Sequence, residues 1–264
     1  MTKEQTETKR EARRLQAERR QDSMTLILDH AEAEFAAKGY NGVTISSVAA
    51  SAGVDTSLMR YYFGDKEKLF AAVFRRRAPE ANAARLAALG AYRPSLGNGG
   101  TLEGLLDAFM RPAFEMADID DKHRNYASIV AYVNSSRGKM YELMSETFDP
   151  VSWVLVDDMK ILLPHASKEK LYWSYHFLTG SFTFSLGRTG RIDRLSSGLV
   201  HSDNFLGIAD RLPVFVAAGI RALCAPDGPP DLNSPSDEDR SPRGDCTKVN
   251  FTYARDERMQ YDLG

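Results

Sequence analysis

Apolar residues in the first third of the chain recur every three or four positions, which predicts amphipathic helices. The first helix carries its apolar stripe from Met24 onward and is expected to end at Gly39. Thr44 can cap a short second helix, and Asp55 can cap a third. The stripe positions of the first two helices are Met24, Ile27, Leu28, Ala31, Phe35, Ile45, Val48 and Ala49. Because no segment shows the alternation typical of a strand, the predicted fold class is all-α.

Helical patterns resume after a glycine-rich connector at residues 97–100. They cover roughly 101–117, 122–137, 138–163, 167–187 and 203–224. Pro112, Pro150 and Pro213 fall inside or at the edges of these patterns, so kinks or breaks are expected there. Residues 225–264 are rich in Pro, Asp, Ser and Gly and have too few apolar residues for a core, which predicts a disordered tail.

Charge is unevenly distributed, although the formal net charge is only −2. Residues 1–20 contain three basic doublets, Lys9-Arg10, Arg13-Arg14 and Arg19-Arg20. This basic N-terminal arm suits contact with a polyanion, and a solubilising helical or disordered tail is the alternative.

Several classes of protein are disfavoured by what the sequence lacks. Cys224 and Cys246 fit neither a disulfide framework nor a zinc-site spacing, so a cytoplasmic location is expected. There is no signal-peptide pattern and no apolar run near the roughly 18 residues of a membrane span, so no membrane association is expected. The five histidines show no paired spacing, and no phosphate loop or nucleophile elbow is present. We therefore predict no catalytic residue, metal site or cofactor, and a protein that is not an enzyme.

The first three helices have the makings of a helix-turn-helix unit, in which one helix braces a second helix in the major groove. Ala52-Gly53-Val54 supplies the tight turn. Together with Ile27-Leu28, Gly39-Tyr40, Tyr62-Phe63 and Lys66-Glu67-Lys68-Leu69, this region closely resembles the DNA-binding domain of the tetracycline-repressor (TetR) family. The resemblance implies a three-helix DNA-binding domain at 21–72 and a helical ligand-binding and dimerisation domain at 73–224. It also implies a homodimer that binds a palindromic operator in double-stranded DNA.

The resemblance also places the DNA contacts. Ser46 and Ser47 of the second helix match positions that touch phosphate. Arg60 can form a bidentate pair with guanine O6 and N7, while a phosphate contact or an ion pair with Asp55 or Asp65 is the alternative. Lys66 begins the fourth helix, where an ammonium and free N–H groups attract phosphate. The full predicted set is Thr44, Ser46, Ser47, Asp55, Thr56, Ser57, Leu58, Arg60, Tyr61, Tyr62 and Lys66.

The last two predicted helices each have an apolar stripe, and in this family two such helices per subunit form the dimer as a four-helix bundle. The alternative is that both stripes face the subunit's own core. The stripe residues are Leu171, Tyr175, Leu178, Phe182, Leu186, Phe205, Ala209, Leu212, Val216, Ile220 and Leu223.

A weaker likeness, between Phe148 and Gly219, links the chain to regulators that respond to fatty acids or related hydrophobic compounds. It implies a small hydrophobic effector, with a fatty-acyl compound as one candidate. Predicted ligand contacts are Phe109, Phe114, Tyr126, Asn134, Phe148, Trp153, His176 and Phe177, and core packing is the alternative for the aromatic ones.

The function predicted from these features is a sequence-specific repressor that its effector releases from the operator. A ligand-independent activator or architectural DNA-binding protein is one alternative, and a helical metabolite-binding protein or enzyme is another.

Overall fold

The computed structural model describes residues 3–232, without the side chains of residues 3–9, 12 and 13. In this range all regular structure is helical, which confirms the all-α prediction. The α-helices are α1 Lys3–Lys38, α2 Ile45–Ala52, α3 Thr56–Phe63, α4 Lys66–Tyr92, α5 Leu102–Ile119, α6 Asp121–Asn134, α7 Lys139–Leu162, α8 Lys168–Leu186, α9 Arg191–Leu195, α10 Phe205–Ala209 and α11 Leu212–Cys224. No helix within residues 3–232 combines the length and the apolar character that a bilayer span requires.

The first helix begins far upstream of its apolar stripe. From Lys3 onward, the basic segment predicted as an arm is the first half of α1. Neither Gly nor Pro occurs before Gly39, so nothing in the sequence interrupts the helix between this segment and the stripe. The segment is therefore helical, and its predicted contact with DNA stays a prediction. Most of the predicted tail lies outside the described residues, and its described part, 225–232, contains no helix or strand.

The prolines affect the helices unequally. Pro213 lies in the first turn of α11, and the pattern predicted at 203–224 is split there into α10 and α11. Pro112 and Pro150 lie inside α5 and α7, which continue through them, so the breaks expected at these positions are not found. Buried residues on both sides of each proline hold these helices in the core, and this packing offsets the lost backbone hydrogen bond.

Helix α4 belongs to both halves of the described structure. Its first turns complete a core with α1, in which the ring of Phe70 meets those of Phe35 and Tyr40 edge-on at 4.9 and 5.2 Å. Its later turns pack against α5 and α7 in the helical body, which comprises α5 to α11. The DNA-binding helices predicted from the sequence are thus attached to the body through one continuous helix.

A buried charge cluster ties α1 to this continuous helix. Glu32 on α1 is only 1% exposed, and its carboxylate lies 2.7 Å from Arg76 Nη2 and 3.1 Å from Arg77 Nε on α4. Asp29, one turn earlier on α1, lies 2.6 Å from Arg76 Nη1 and 2.8 Å from Lys122 Nζ on α6. Three helices are therefore joined at one junction.

Removing the Glu32 charge should destabilise the whole chain. Glu32→Gln leaves Arg77 mostly buried without a carboxylate and leaves Arg76 with Asp29 alone, which should lower the free energy of unfolding by about 3 kcal/mol. Glu146→Gln is the matched control, because this residue pairs with Arg75 at 3.0 Å on the surface and should contribute less than about 1 kcal/mol. Urea denaturation followed by circular dichroism gives both values, and equal midpoints for the two variants would contradict the role of Glu32.

Candidate nucleic-acid interface and ligand cavity

The helix-turn-helix is built from local hydrogen bonds that the sequence encodes. Ser47 N–H donates to Thr44 Oγ1 at 3.0 Å, and Thr44 N–H donates to Ser47 Oγ at 3.1 Å, which closes a capping box at the start of α2. Gly53 ends α2 in the left-handed conformation at φ +66°, so a residue with a side chain would be strained there. The chain then turns directly into α3.

Asp55 caps α3 as predicted. The Ser57 N–H donates to Asp55 Oδ1 at 2.6 Å. Hydrogen bonds from the Ser57 hydroxyl and backbone hold the pKa of the Asp55 carboxyl below its usual range, so the cap is charged at neutral pH. This negative charge at the start of the helix suits the helix dipole. It makes Asp55 a structural part of the interface.

One face of α3 is buried and the opposite face is free. Met59 and Phe63 are in the core, whereas Ser57, Arg60 and Tyr61 are exposed, Tyr61 to 70%. The spacing of three and four residues places these three side chains on one side of the helix. Within residues 3–232, Arg60 makes no ion pair, so the predicted alternative of a salt bridge to Asp55 or Asp65 is not found.

The basic part of α1 lies beside this surface. The guanidinium carbon of Arg20 is 5.7 Å from the centre of the half-buried Tyr62 ring, within the range of a cation–π contact. The arm predicted from the basic doublets therefore adjoins α3 at its C-terminal end.

Lys66 has a structural role that the sequence did not predict. Its ammonium donates to the carbonyl oxygens of Tyr40 and Val43, both at 3.1 Å, and lies 4.3 Å from the centre of the Tyr40 ring. The predicted orientation toward a phosphate is thus corrected. The ammonium turns inward because the carbonyls of the turn after α1 have no helical partner.

Ser46 and Ser47 of α2 also differ from each other in their surroundings. Ser46 is exposed and available for the predicted phosphate contact. Ser47 is half-buried, and its hydroxyl lies 2.9 Å from Thr44 O and 3.1 Å from Glu34 Oε2. Since a hydroxyl has one proton to donate, these internal acceptors compete with any phosphate for it.

The helical body contains a cavity of about 700 Å³ between α6, α7 and α8. Its walls combine aromatic and apolar side chains with a few hydroxyls and amides, the composition typical of small-molecule sites. The amide of Asn134 donates to Thr183 Oγ1 at 3.3 Å in this wall. The principal lining residues are Tyr132, Asn134, Tyr141, Met144, Phe148, Tyr175, His176, Thr179, Thr183 and Phe184.

The structure brings only part of the predicted ligand set to this cavity. Asn134, Phe148 and His176 line it. The remaining five lie elsewhere. Phe109 and Phe114 are in the core against Phe182, and Tyr126 lines a smaller cavity. Trp153 is half-buried, and Phe177 is 56% exposed. Helical spacing marks aromatic positions but does not show which helices enclose a space.

The smaller cavity contains a residue that sequence reasoning missed. Arg85 on α4 carries a charge, yet it is only 5% exposed. It lies on the buried face of its helix between Ala81 and Leu89. The signal in the sequence is a charged residue four positions from the apolar residues on either side of it, on the apolar stripe of α4.

The apolar stripes assigned to the dimer interface face the subunit's own core. Leu178 on α8 and Ile220 on α11 are buried, as are most of the other members of both stripes. The prediction is corrected, and its alternative holds. The outer sides of these helices are apolar as well, and we call the following residues the outer apolar face: Trp173, Phe177 and Phe184 on α8, with Val214 and Phe215 on α11.

Comparison with protein families decides the identity of the chain. Residues 27–73 match the family model of bacterial regulatory proteins of the tetR family, and residues 107–219 match that of the tetracyclin repressor-like C-terminal domain. The chain belongs to the tetR family. It is therefore a DNA-binding transcriptional regulator, and the matched segments contain the helix-turn-helix and the 700 Å³ cavity.

Solved structures of tetR-type regulators share this fold. The fatty acid degradation regulator FadR from Bacillus halodurans is similar with a TM-score of 0.52 and 14% identity, covering 75% of this chain and 96% of that chain. PfmR from Thermus thermophilus has a TM-score of 0.51 and 14% identity, covering 73% and 97%. HlyIIR, a hemolysin II transcriptional regulator, has a TM-score of 0.50 and 19% identity, covering 72% and 97%. No curated protein has a significantly matching sequence.

The internal role of Lys66 leads to a test on protein stability. Lys66→Met removes two hydrogen bonds to carbonyls and should lower the free energy of unfolding by about 1–3 kcal/mol. Lys68→Met is the control. It removes the same charge from a side chain that is exposed and lies two residues further along α4. Thermal denaturation without DNA separates the two variants, and a Lys66→Met midpoint as high as that of Lys68→Met would show that the inward bonds are unimportant.

Proposed function

We propose that this tetR-family regulator is a homodimeric repressor that binds a palindromic operator through α3 and leaves it when a small hydrophobic effector binds the body. The observation that carries this proposal is the free face of α3. Ser57, Arg60 and Tyr61 project from a helix whose other side is anchored by Met59 and Phe63. Such a face supplies both a planar donor for guanine and hydroxyl groups for phosphate or base edges.

Dimer formation is supported by the outer apolar face. Phe177, Phe184 and Phe215 are each more than half exposed on two helices that pack side by side. Gly180 and Gly219 on the same helices leave open space above their backbones, which allows close approach of another helix. Large exposed apolar surfaces of this kind mark protein contacts. A two-fold dimer also presents two copies of α3 to two half-sites.

Coupling between effector and DNA is supported by the position of α6. This helix forms one wall of the 700 Å³ cavity, and its first turn holds Lys122, which pairs with Asp29 on α1. A ligand that shifts α6 therefore also acts on the helix that carries the DNA-binding domain. A coupling of about 1–3 kcal/mol changes operator affinity by roughly 5–150-fold, and DNA must weaken effector binding by the same factor.

The base-recognition role of Arg60 is tested on operators selected from random duplexes. Arg60→Ala should weaken binding to the selected operators by about 1–3 kcal/mol and change binding to random DNA little. It should also relax the base preference at one base pair in each half-site. Arg75→Ala is the charge-matched control, since Arg75 pairs with Glu146 away from α3. Fluorescence anisotropy on single-base variants of the operator gives the preference. If Arg60→Ala weakens every duplex equally, Arg60 holds phosphate instead.

The dimer proposal is tested on the outer apolar face. Phe177→Asp together with Phe215→Asp should produce monomers, because two charges per subunit would be buried in an apolar contact. Ile161→Asp, at a half-exposed position on α7, should leave the dimer intact. Sedimentation velocity at several concentrations gives the oligomeric state. A double variant that sediments like the wild type would place the interface elsewhere.

A further inference from the structure

Arg85 is enclosed in the body by aromatic rings. Its guanidinium carbon lies 5.2, 5.3 and 5.2 Å from the ring centres of Phe109, Phe148 and Phe182. Within residues 3–232 it forms no ion pair, and its Nε has no hydrogen-bond partner. Burial lowers the pKa of this guanidinium to about 10, so it is still charged at neutral pH. The body therefore contains a buried positive charge whose Nε–H lacks an acceptor.

A second unpartnered donor lies in the same cavity. Tyr126 is 3% exposed, and its hydroxyl has no hydrogen-bond partner within the described part of the chain. Burial raises the pKa of this hydroxyl, which keeps its proton in place as a donor. Arg85 and Tyr126 line a cavity of about 20 Å³, enough for roughly one water molecule. Its other polar lining residue, His123, is held by Asp120 at 2.7 Å.

These donors define the chemistry of an occupant. Cation–π contacts with three rings stabilise the charge but accept none of its N–H protons. A carboxylate matches the planar fork of an arginine with two parallel hydrogen bonds, and its single negative charge balances the single positive one. A phosphate has more charge and more oxygens than one guanidinium and one hydroxyl can satisfy. The remaining walls, including Ala113, Met116 and Leu186, suit an apolar group.

We propose that Arg85 and Tyr126 bind the carboxylate of an anionic effector whose apolar part lies among the surrounding helices. This inference rests on the proposed function, since it specifies the chemical class of the effector. Phe148 forms part of the wall of both the small cavity and the 700 Å³ cavity. A carboxylate is larger than one water molecule, so binding displaces side chains between α4, α6 and α7. Helices α4 and α6 are joined to α1 at the Glu32 junction, and α7 packs against both.

The test compares acids with their own amides on the full chain without DNA. Octanoate, dodecanoate and benzoate are each paired with the corresponding primary amide, and dissociation constants are obtained from the ligand dependence of the thermal midpoint. At least one acid should bind the wild type more tightly than its amide by about tenfold or more. We call the affinity for an acid divided by the affinity for its amide the acid-over-amide ratio. Both affinities are measured on the same protein, so the ratio does not depend on how stable each variant is.

Substitutions then assign the preference to residues. Arg85→Met should bring the acid-over-amide ratio to about one, and its midpoint without ligand should equal or exceed that of the wild type, since an unpaired buried charge is removed. Arg85→Lys should retain part of the ratio, and Tyr126→Phe should reduce it. If no acid is preferred over its amide by the wild type, or if the preference persists in Arg85→Met, the inference is overturned.

A separate measurement distinguishes this inference from the proposed function. The preferred acid is added to the complex of wild-type protein and selected operator. An acid that binds through Arg85 but leaves operator affinity unchanged supports the site and contradicts effector-driven release. Release by a neutral compound, with no acid preference anywhere in the panel, supports the release mechanism and overturns the carboxylate site.

Discussion

The carboxylate of Glu32 fixes how the DNA-binding helices are attached to the body. It is buried between α1 and α4 and receives both Arg76 and Arg77, so it cannot exchange these partners for water without opening the junction. Asp29 extends the same cluster to Lys122 on α6. Because α1 packs against α2, and α3 packs against α2 and α4, a change in the position of α4 or α6 would reach the face that carries Arg60. The junction thus gives the proposed effector response a physical connection to the DNA-binding helices.

Helix α4 is the element that spans this connection. Lys66 begins it with bonds to the turn after α1, and Arg85 lies 19 residues later, beside the small cavity. At 1.5 Å per residue the two side chains are separated by about 28 Å along one helix. Pro79 lies between them and lacks the backbone N–H that would continue the helical hydrogen bonding. Packing on α5 and α7 holds α4 as one helix through this position, and along it the proposed displacement at Arg85 would reach the DNA-binding domain.

The sequence predicts what local interactions determine. Thr44, Gly53 and Asp55 act within three residues of their own positions, so the bounds of α2 and α3 follow from residue type. The residues predicted for the dimer interface were wrong for a different reason. Helix α8 is apolar on two sides, and periodicity does not say whether the side with Leu178 or the side with Phe177 is buried in the subunit. The partners of Lys66 lie more than 20 residues away in the chain. Such contacts depend on the packing of α1 against α4, which no local pattern specifies.

The buried charged residues differ in whether an opposite charge accompanies them. Glu32, Arg85 and Asp158 are the buried charged residues within residues 3–232. Glu32 is held by two arginines, and Asp158 lies 3.2 Å from Arg93 Nε, whose charge opposes the rise that burial produces in the pKa of that carboxyl. Both have a residue of opposite charge beside them, although neither carboxylate oxygen of Asp158 accepts a hydrogen bond within the described residues. Arg85 has only aromatic rings and an adjacent space, an arrangement that lowers the stability of the unliganded protein. In the proposed carboxylate site, a ligand that supplies the missing negative charge would recover this stability, and the recovered free energy would drive the proposed change of state.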